Sequence, residues 1–171
     1  LASFIDANNI EINGDKKITI KSKKFIIATG SKPGSLPFIE LDKERIVTST
    51  EALKLNEIPK HLIIIGGGVI GLELGQVYKR LGAEVSVIEY ADRITPSMDM
   101  SLSRELLKVL KKQGVKFYLS HGVSNVKRNG KEITVTANDK KGVSTEFKGD
   151  YCLVSVGRKP HTKGLNLEAI G

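Results

Sequence analysis

The stretch HLIIIGGGVIGLELGQVYKRLGAEVSVIE (His61–Glu89) decides how this chain folds. Leu62-Ile63-Ile64-Ile65 is a short, unbroken, β-branched-rich run, the pattern of a strand buried on both faces. Three glycines end it, and Val69 to Leu81 reads as a helix. Glu84 to Glu89 then reads as a second strand. Downstream, Asp99 to Gln113 is expected to be a helix carrying Leu102, Leu106, Val109 and Leu110 on one face, with Gly114 at the C′ position. Val115 to Leu119 forms a third strand. A βαβαβ unit of this kind requires a parallel sheet with right-handed crossovers.

The pattern changes on either side. Val123–Lys127, Glu132–Ala137 and Val143–Phe147 are short alternating runs separated by Asn129-Gly130 and by Asn138-Asp139 with Gly142, an antiparallel meander. Tyr151 to Val156 is a last buried strand, ending at Gly157. Upstream, Phe4–Ile12 and Lys17–Ala28 read as two strands joined by the turn Asn13-Gly14-Asp15, the second closing in a buried Phe25-Ile26-Ile27-Ala28. Pro33 to Val47 reads as a surface connection. Thr48 stands three residues before Glu51, the spacing of a capping box, and opens a short helix, Ser49 to Leu55, stopped by Pro59. The fold class is α/β: a Rossmann-like βαβαβ parallel sheet with an antiparallel β-meander and flanking segments.

Composition narrows the partners. The 171 residues are 40% hydrophobic and only 5% aromatic, without Trp, so the core is built from Ile, Val and Leu. The net charge of +8 raises nucleic acid as a partner, but the lysines are scattered over strand edges and a helix face, so no nucleic-acid site is expected. Such a charge does help attract an anionic cofactor. The single cysteine, Cys152, lies in the apolar run Tyr151–Val154 and reads as a buried, inert thiol, with no metal or CxxC motif. No apolar run is long enough to span a membrane, and the expected location is cytoplasmic. Both ends read as cut, which suggests part of a longer protein.

Gly66-Gly67-Gly68-Val69-Ile70-Gly71 matches GxGxxG. The first glycine permits a tight turn, the second lets a pyrophosphate approach the backbone, and the third lets helix pack on strand. The helix N-terminus then offers free N–H groups to the phosphates. The motif alone is weak, but here it follows a strand, opens a helix and precedes a second strand that ends in an acid. Glu89, 23 positions after Gly66, is placed to accept hydrogen bonds from the adenosine ribose. It would repel the 2′-phosphate of NADP: one unit pair at about 4 Å costs about 4 kcal/mol at an effective dielectric of about 20. NAD is therefore the expected cofactor, with Arg93 the nearby cation able to reach a phosphate.

These residues resemble a known family. Gly66–Gly75 (GGGVIGLELG) with Arg80–Glu89 (RLGAEVSVIE) closely resembles the dihydrolipoamide dehydrogenases, flavoprotein disulfide reductases that serve the 2-oxoacid dehydrogenase and glycine-cleavage complexes. Ile27–Ser31 (IATGS) is similar to that family's FAD-contacting turn. Val156–Pro160 (VGRKP) with Leu165–Gly171 is similar to the segment where the chain returns to the FAD domain. The resemblance spans nearly the whole chain, and its ordered motifs are more specific than any one of them.

It implies a domain plan: 1–47 the end of a first FAD-domain segment, 48–156 an NAD-binding domain, and 157–171 the return to the FAD domain. It implies site residues too. Gly66, Gly67, Gly68, Val69, Ile70, Gly71, Leu72 and Glu73 would form the NAD loop, with Glu89 on the ribose. Val123 would line the adenine pocket and Gly157 the nicotinamide end. Thr29, Gly30 and Ser31 would contact FAD. Glu73 would face the flavin and pair with a lysine of the FAD domain, and Val69 replaces a gating tyrosine found in several relatives. The whole enzyme would be a homodimer that oxidises protein-bound dihydrolipoyl groups through a redox disulfide and FAD, handing hydride to NAD+. The family's redox-active CxxxxC pair, FAD glycine loop and catalytic His–Glu pair have no match among these residues. No catalytic residue and no metal ligand is therefore expected here, and the chain alone is expected to be inactive. His161 reads as an exposed loop residue. Two other readings remain open: another flavoprotein reductase, such as an NADH oxidase or a mercuric-reductase type, and a non-catalytic dinucleotide-binding module.

Overall fold

The computed structural model describes residues 1–171. The chain divides into two compact units, Leu1–Lys32 with Arg158–Gly171, and Pro33–Gly157. The second unit begins at Pro33, whereas the expected boundary lies at Thr48. The reason is visible in the sheet: Ile46 and Val47 form an edge strand and are buried in this unit's core.

In the first unit, β1 (Ala2–Asp6), β2 (Asn9–Asn13) and β3 (Lys17–Lys21) form an antiparallel sheet in that order. The run expected as one strand, Phe4–Ile12, is thus two strands. Asp6 accepts hydrogen bonds from the Asn8 N–H at 2.8 Å and the Asn9 side chain at 2.9 Å, a local side-chain turn that reverses the chain. The buried strand expected at Phe25–Ala28 does not form. It joins no sheet, and Ile26 is 94% exposed, because a strand exists only where a neighbour satisfies its backbone. The short strands β4 (Ser31–Pro33) and β13 (Arg158–Pro160) pair, and a 3-10 turn follows at Leu167–Ala169.

In the second unit, β5 (Ile46–Val47), β6 (His61–Ile65), β7 (Glu84–Glu89), β8 (Lys116–Leu119) and β12 (Tyr151–Val154) build a five-stranded sheet in the order β5-β12-β6-β7-β8. Every neighbouring pair is parallel. The strands β9 (Gly122–Asn129), β10 (Glu132–Asn138) and β11 (Ser144–Gly149) form the antiparallel meander. The helices are α1 (Ser49–Ala52), α2 (Val69–Arg80) and α3 (Met100–Lys112). The capping box forms as expected, with the Thr48 hydroxyl accepting from the Thr50 N–H and Glu51 accepting from the Thr48 N–H.

The parallel sheet is the middle of three layers. Successive side chains of a strand point to opposite faces. Leu62, Ile64, Val85, Val87 and Leu153 pack with Leu72, Tyr78 and Leu110 of the helices. Ile63, Ile65, Ile88, Cys152 and Val154 pack with Ile133, Val135, Ala137 and Phe147 of the meander. Both faces are covered, so the central strands β6 and β12 are nearly continuous apolar runs rather than alternating ones.

One expected face is wrong. On α3, Leu102 is 62% and Val109 41% exposed, whereas Ser103 and Leu110 are buried and Leu106 and Leu107 partly so. Ser103 turns inward because its hydroxyl can donate to the Ile94 carbonyl at 2.9 Å while bonding Thr95 Oγ1 at 2.8 Å. A buried serine with both partners costs little. No helix is long and apolar enough to cross a membrane.

Candidate functional site

The sheet order holds a switch point between β6 and β12. From β6 the chain runs outward to β7 and β8, then returns to add β12 on the other side. Ligands of open α/β sheets bind at the carboxyl ends of the strands at such a point. A cleft of about 590 Å³ lies there, lined by Ile65 and Gly66 at the end of β6, Ile88 and Glu89 at the end of β7, and Ser155 to Gly157 after β12. A second groove of about 620 Å³ is lined by Lys43, Lys54, Glu57 and neighbours, away from these strand ends and without the glycine loop.

The glycines divide into packing and open positions. Gly66 has φ +105° and its N–H donates to the Ile88 carbonyl at 2.9 Å. A Cβ on it would meet the Ser155 carbonyl at 2.6 Å, so both conformation and space demand glycine. A Cβ on Gly71 would lie 2.5 Å from Ser155 Oγ and 2.6 Å from the Gly66 carbonyl oxygen. Gly68 is different. It is the N-cap of α2, supplies no side-chain cap, and a Cβ there would meet nothing within 4 Å. The first N–H groups of the helix are therefore not satisfied by a capping side chain, and the backbone faces open space.

Glu89 is tied to this loop. Its Oε2 accepts from the Gly67 N–H at 2.6 Å and its Oε1 from the Ala91 N–H at 2.7 Å. Each carboxylate oxygen retains a free lone pair. The segment after β7 is fastened as well: the Thr95 N–H donates to the Gly67 carbonyl at 2.8 Å, and the His121 N–H to the Glu89 carbonyl at 3.0 Å. Thr95 adopts φ +43°, an uncommon conformation for a β-branched residue, and is buried. Arg93 donates to the Pro96 carbonyl at 2.7 Å.

The expected residues separate into groups. Gly66, Gly68, Val69, Glu89, Val123 and Gly157 all line the one cleft. The register of β9 against β10 skips Ser124, with Thr136 opposite Asn125 and Ala137 opposite Val123, a bulge of the kind that re-aims side chains beside sites. Gly67 lies buried against the Glu89 side chain, Gly71 packs beneath the loop, and Leu72 belongs to the core. Ile70 is half-buried, and Glu73 is exposed on α2; neither lines the cleft. Thr29, Gly30 and Ser31 belong to the other unit. There Ser31 accepts two bonds from Arg158, both at 2.7 Å, and Gly30, at φ +75°, accepts from the His161 N–H at 2.9 Å. That bond comes from a loop residue that is half-buried, not exposed as expected for His161. Cys152 is fully buried, and burial pushes its thiol far above the ordinary range, so it stays protonated.

Three contributors escaped the sequence reading. Ser155 Oγ lies 3.1 Å from both the Ile65 and Gly66 carbonyls and so fastens the turn from beneath. Thr95 fastens it from the side, and Tyr90 lines the cleft beside Glu89. Ser155 and Thr95 carry no local signal, since their partners are remote in sequence. Tyr90 could have been suspected as a polar-tipped aromatic directly after the strand-ending acid.

Comparison with known proteins agrees on one family. The model of the pyridine nucleotide-disulphide oxidoreductases matches residues 2–171. The chain is 44% identical over 163 residues to dihydrolipoyl dehydrogenase 3 of Pseudomonas putida, covering 95% of the chain and 35% of that protein. It is 42% identical over 173 residues to the mitochondrial dihydrolipoyl dehydrogenase of Schizosaccharomyces pombe, covering 99% and 34%. Among solved structures it is similar to LpdA of Mycobacterium tuberculosis, with TM-score 0.84 and 29% identity, and to the HOCl-induced flavoprotein disulfide reductase RclA of Escherichia coli, with TM-score 0.79 and 27% identity. Each covers 99% of this chain and 38% of the solved one. The chain thus spans about a third of the length of the curated relatives it matches.

Proposed function

The chain belongs to the pyridine nucleotide-disulphide oxidoreductase family, and from that premise we propose that the compact unit Pro33–Gly157, which contains the expected domain 48–156, binds NAD(H). The observation that carries this reading is the Gly67–Glu89 hydrogen bond at the mouth of the switch-point cleft. It sets a ribose acceptor beside a helix N-terminus whose cap, Gly68, leaves open space for a pyrophosphate. The cleft volume of about 590 Å³ suits a small-molecule cofactor site.

In this reading the first-turn N–H groups of α2 bind the pyrophosphate. Glu89 accepts the ribose hydroxyls on its remaining lone pairs and disfavours the 2′-phosphate of NADP. Val123 lines the adenine end and Gly157 the nicotinamide end. Gly66, Gly67 and Gly71 keep the turn tight, Leu72 sets the helix on the sheet, and Val69 and Ile70 complete the NAD loop, with Val69 lining the cleft. Thr29, Gly30 and Ser31, in the other unit, contact FAD, as the resemblance implies.

The whole protein, we suggest, is a dihydrolipoamide dehydrogenase acting on the lipoyl domains of 2-oxoacid dehydrogenase or glycine-cleavage complexes, as a cytoplasmic homodimer. Several relatives are named mitochondrial, which makes that compartment the competing location. When bound, FAD and NAD supply a relay that takes two electrons and two protons from a dithiol, leaving a disulfide, NADH and one proton. Cys152, buried and unpaired, takes no part.

Calorimetric titration with NADH and with NADPH tests the cofactor assignment. NADH binds more tightly, and Glu89→Ala narrows the difference. Equal affinities in the unmodified chain would refute it. Assay of the complete protein for NAD+-dependent oxidation of dihydrolipoamide tests the wider reading.

A further inference from the structure

We infer that Tyr90 is the aromatic wall on which the adenine ring of the dinucleotide stacks. This rests on the proposal that the cleft takes NAD(H), and it goes further by naming the residue that grips the base.

The chain has four tyrosines and no Trp. Three of the four are accounted for by packing or hydrogen bonding. Tyr78 is buried and its hydroxyl donates to the Ala52 carbonyl. Tyr151 is buried and its hydroxyl donates to Glu57 at 2.9 Å. Tyr118 packs on Phe147 with ring centroids 4.5 Å apart. Tyr90 is 83% exposed and takes part in none of the aromatic pairs. A single exposed aromatic is ordinary on a protein surface. This one lines the cleft directly after the acid that would hold the ribose.

Its backbone is held on both sides. The Glu89 carboxylate is fastened by the Gly67 and Ala91 N–H groups, the Ser120 N–H donates to the Ala91 carbonyl at 2.8 Å, and the His121 N–H donates to the Glu89 carbonyl. The ring itself lies beside Gly122: a Cβ built there would sit 3.5 Å from Tyr90 Cδ2 and 3.6 Å from Cε2. Gly122 and Val123 line the same cleft. A ribose bound to Glu89 puts its base one short step away, where a ring on a fixed backbone is free to stack against it. Every base has a π-face, so the contact needs no hydrogen-bond partner.

The test compares ADP-ribose, NADH and nicotinamide mononucleotide on the unmodified chain, Tyr90→Ala and Tyr90→Phe. Tyr90→Ala weakens ADP-ribose and NADH about tenfold, within the range of base–aromatic stacking, and leaves nicotinamide mononucleotide unchanged. Tyr90→Phe keeps ADP-ribose affinity within about twofold, because the ring and not the hydroxyl makes the contact. With no Trp to mask it, tyrosine emission is quenched by ADP-ribose in the unmodified chain and not in Tyr90→Phe. Unchanged ADP-ribose affinity in Tyr90→Ala, with the unmodified chain binding normally, overturns this inference and leaves the NAD(H) reading standing. Failure of the unmodified chain to bind either adenine ligand overturns both.

Discussion

The Gly67 N–H donates to Glu89 Oε2 at 2.6 Å. A Cβ on Gly67 would lie 3.3 Å from the Glu89 Cβ and Cγ, tighter than most real contacts, so the loop sits directly on the side chain. The turn after β6 and the acid ending β7 are joined before any ligand arrives. Preorganisation of this kind lowers the cost of ordering a binding site.

Glu89→Gln separates charge from geometry. The amide oxygen can still accept from Gly67, but its NH2 group cannot accept from Ala91, so one N–H loses its partner. Stability falls by about 1–3 kcal/mol, less than for Glu89→Ala, in which both N–H groups lose theirs. NADPH discrimination falls in both variants. Thermal melting and paired titrations check this. A glutamine variant that keeps the full preference for NADH would show that charge is not its origin.

Gly68→Ala and Gly71→Ala should fail in opposite ways. The Gly68 Cβ enters open space with φ −78°, so stability changes by less than about 1 kcal/mol while NADH affinity falls, because the methyl occupies the approach to the helix N-terminus. The Gly71 Cβ meets Ser155 Oγ, the Gly66 oxygen and Ile64, and overpacking there costs about 1–3 kcal/mol. Urea midpoints and NADH titrations of the two proteins distinguish these outcomes.

Leu110 and Leu102 test the face that α3 buries. Leu110→Ala removes a fully buried side chain and should cost about 2–5 kcal/mol. Leu102, 62% exposed, should tolerate alanine within about 0.5 kcal/mol. Similar losses at both sites, measured by urea denaturation, would contradict the observed packing.

Asp42 should make stability depend on acid. Burial works to raise its carboxyl, but N–H donors from Arg45, Ile46 and Glu44, with the Arg128 guanidinium, hold it below its ordinary value of 3.8. A carboxyl lowered on folding stabilises fully above its unfolded value and loses that contribution as pH falls through the lower folded one. Urea midpoints should therefore drop below about pH 4. Asp42→Asn should be less stable at about pH 6 and lose less on acidification. An equal decline in both proteins would assign the acid sensitivity elsewhere.

Much of the second unit was legible because its signals are local. The apolar run Leu62–Ile65, ended by three glycines, forms the buried strand its pattern implies. Thr48 and Glu51 three apart make a capping box wherever a helix begins. Gly114, at φ +84°, ends α3 as its position implied. Reading failed where a neighbour decided the outcome. Leu102 and Leu110 are equally apolar, and the Ile94 and Thr95 partners of Ser103 settled which side of α3 turns inward. Phe25–Ala28 is apolar enough for a buried strand, but hydrophobicity supplies no partner.

Sequence by itself determined the strand–glycine–helix turn and the spacing of Gly66 to Glu89, because backbone conformation at glycine and the period of a buried strand act over a few residues. Only the tertiary structure decided that Ser155 would lie under that turn and how Val123 is brought to the cleft beside it. The first depends on β12 returning next to β6 and the second on a bulge at Ser124, contacts between residues far apart in sequence that no local pattern encodes.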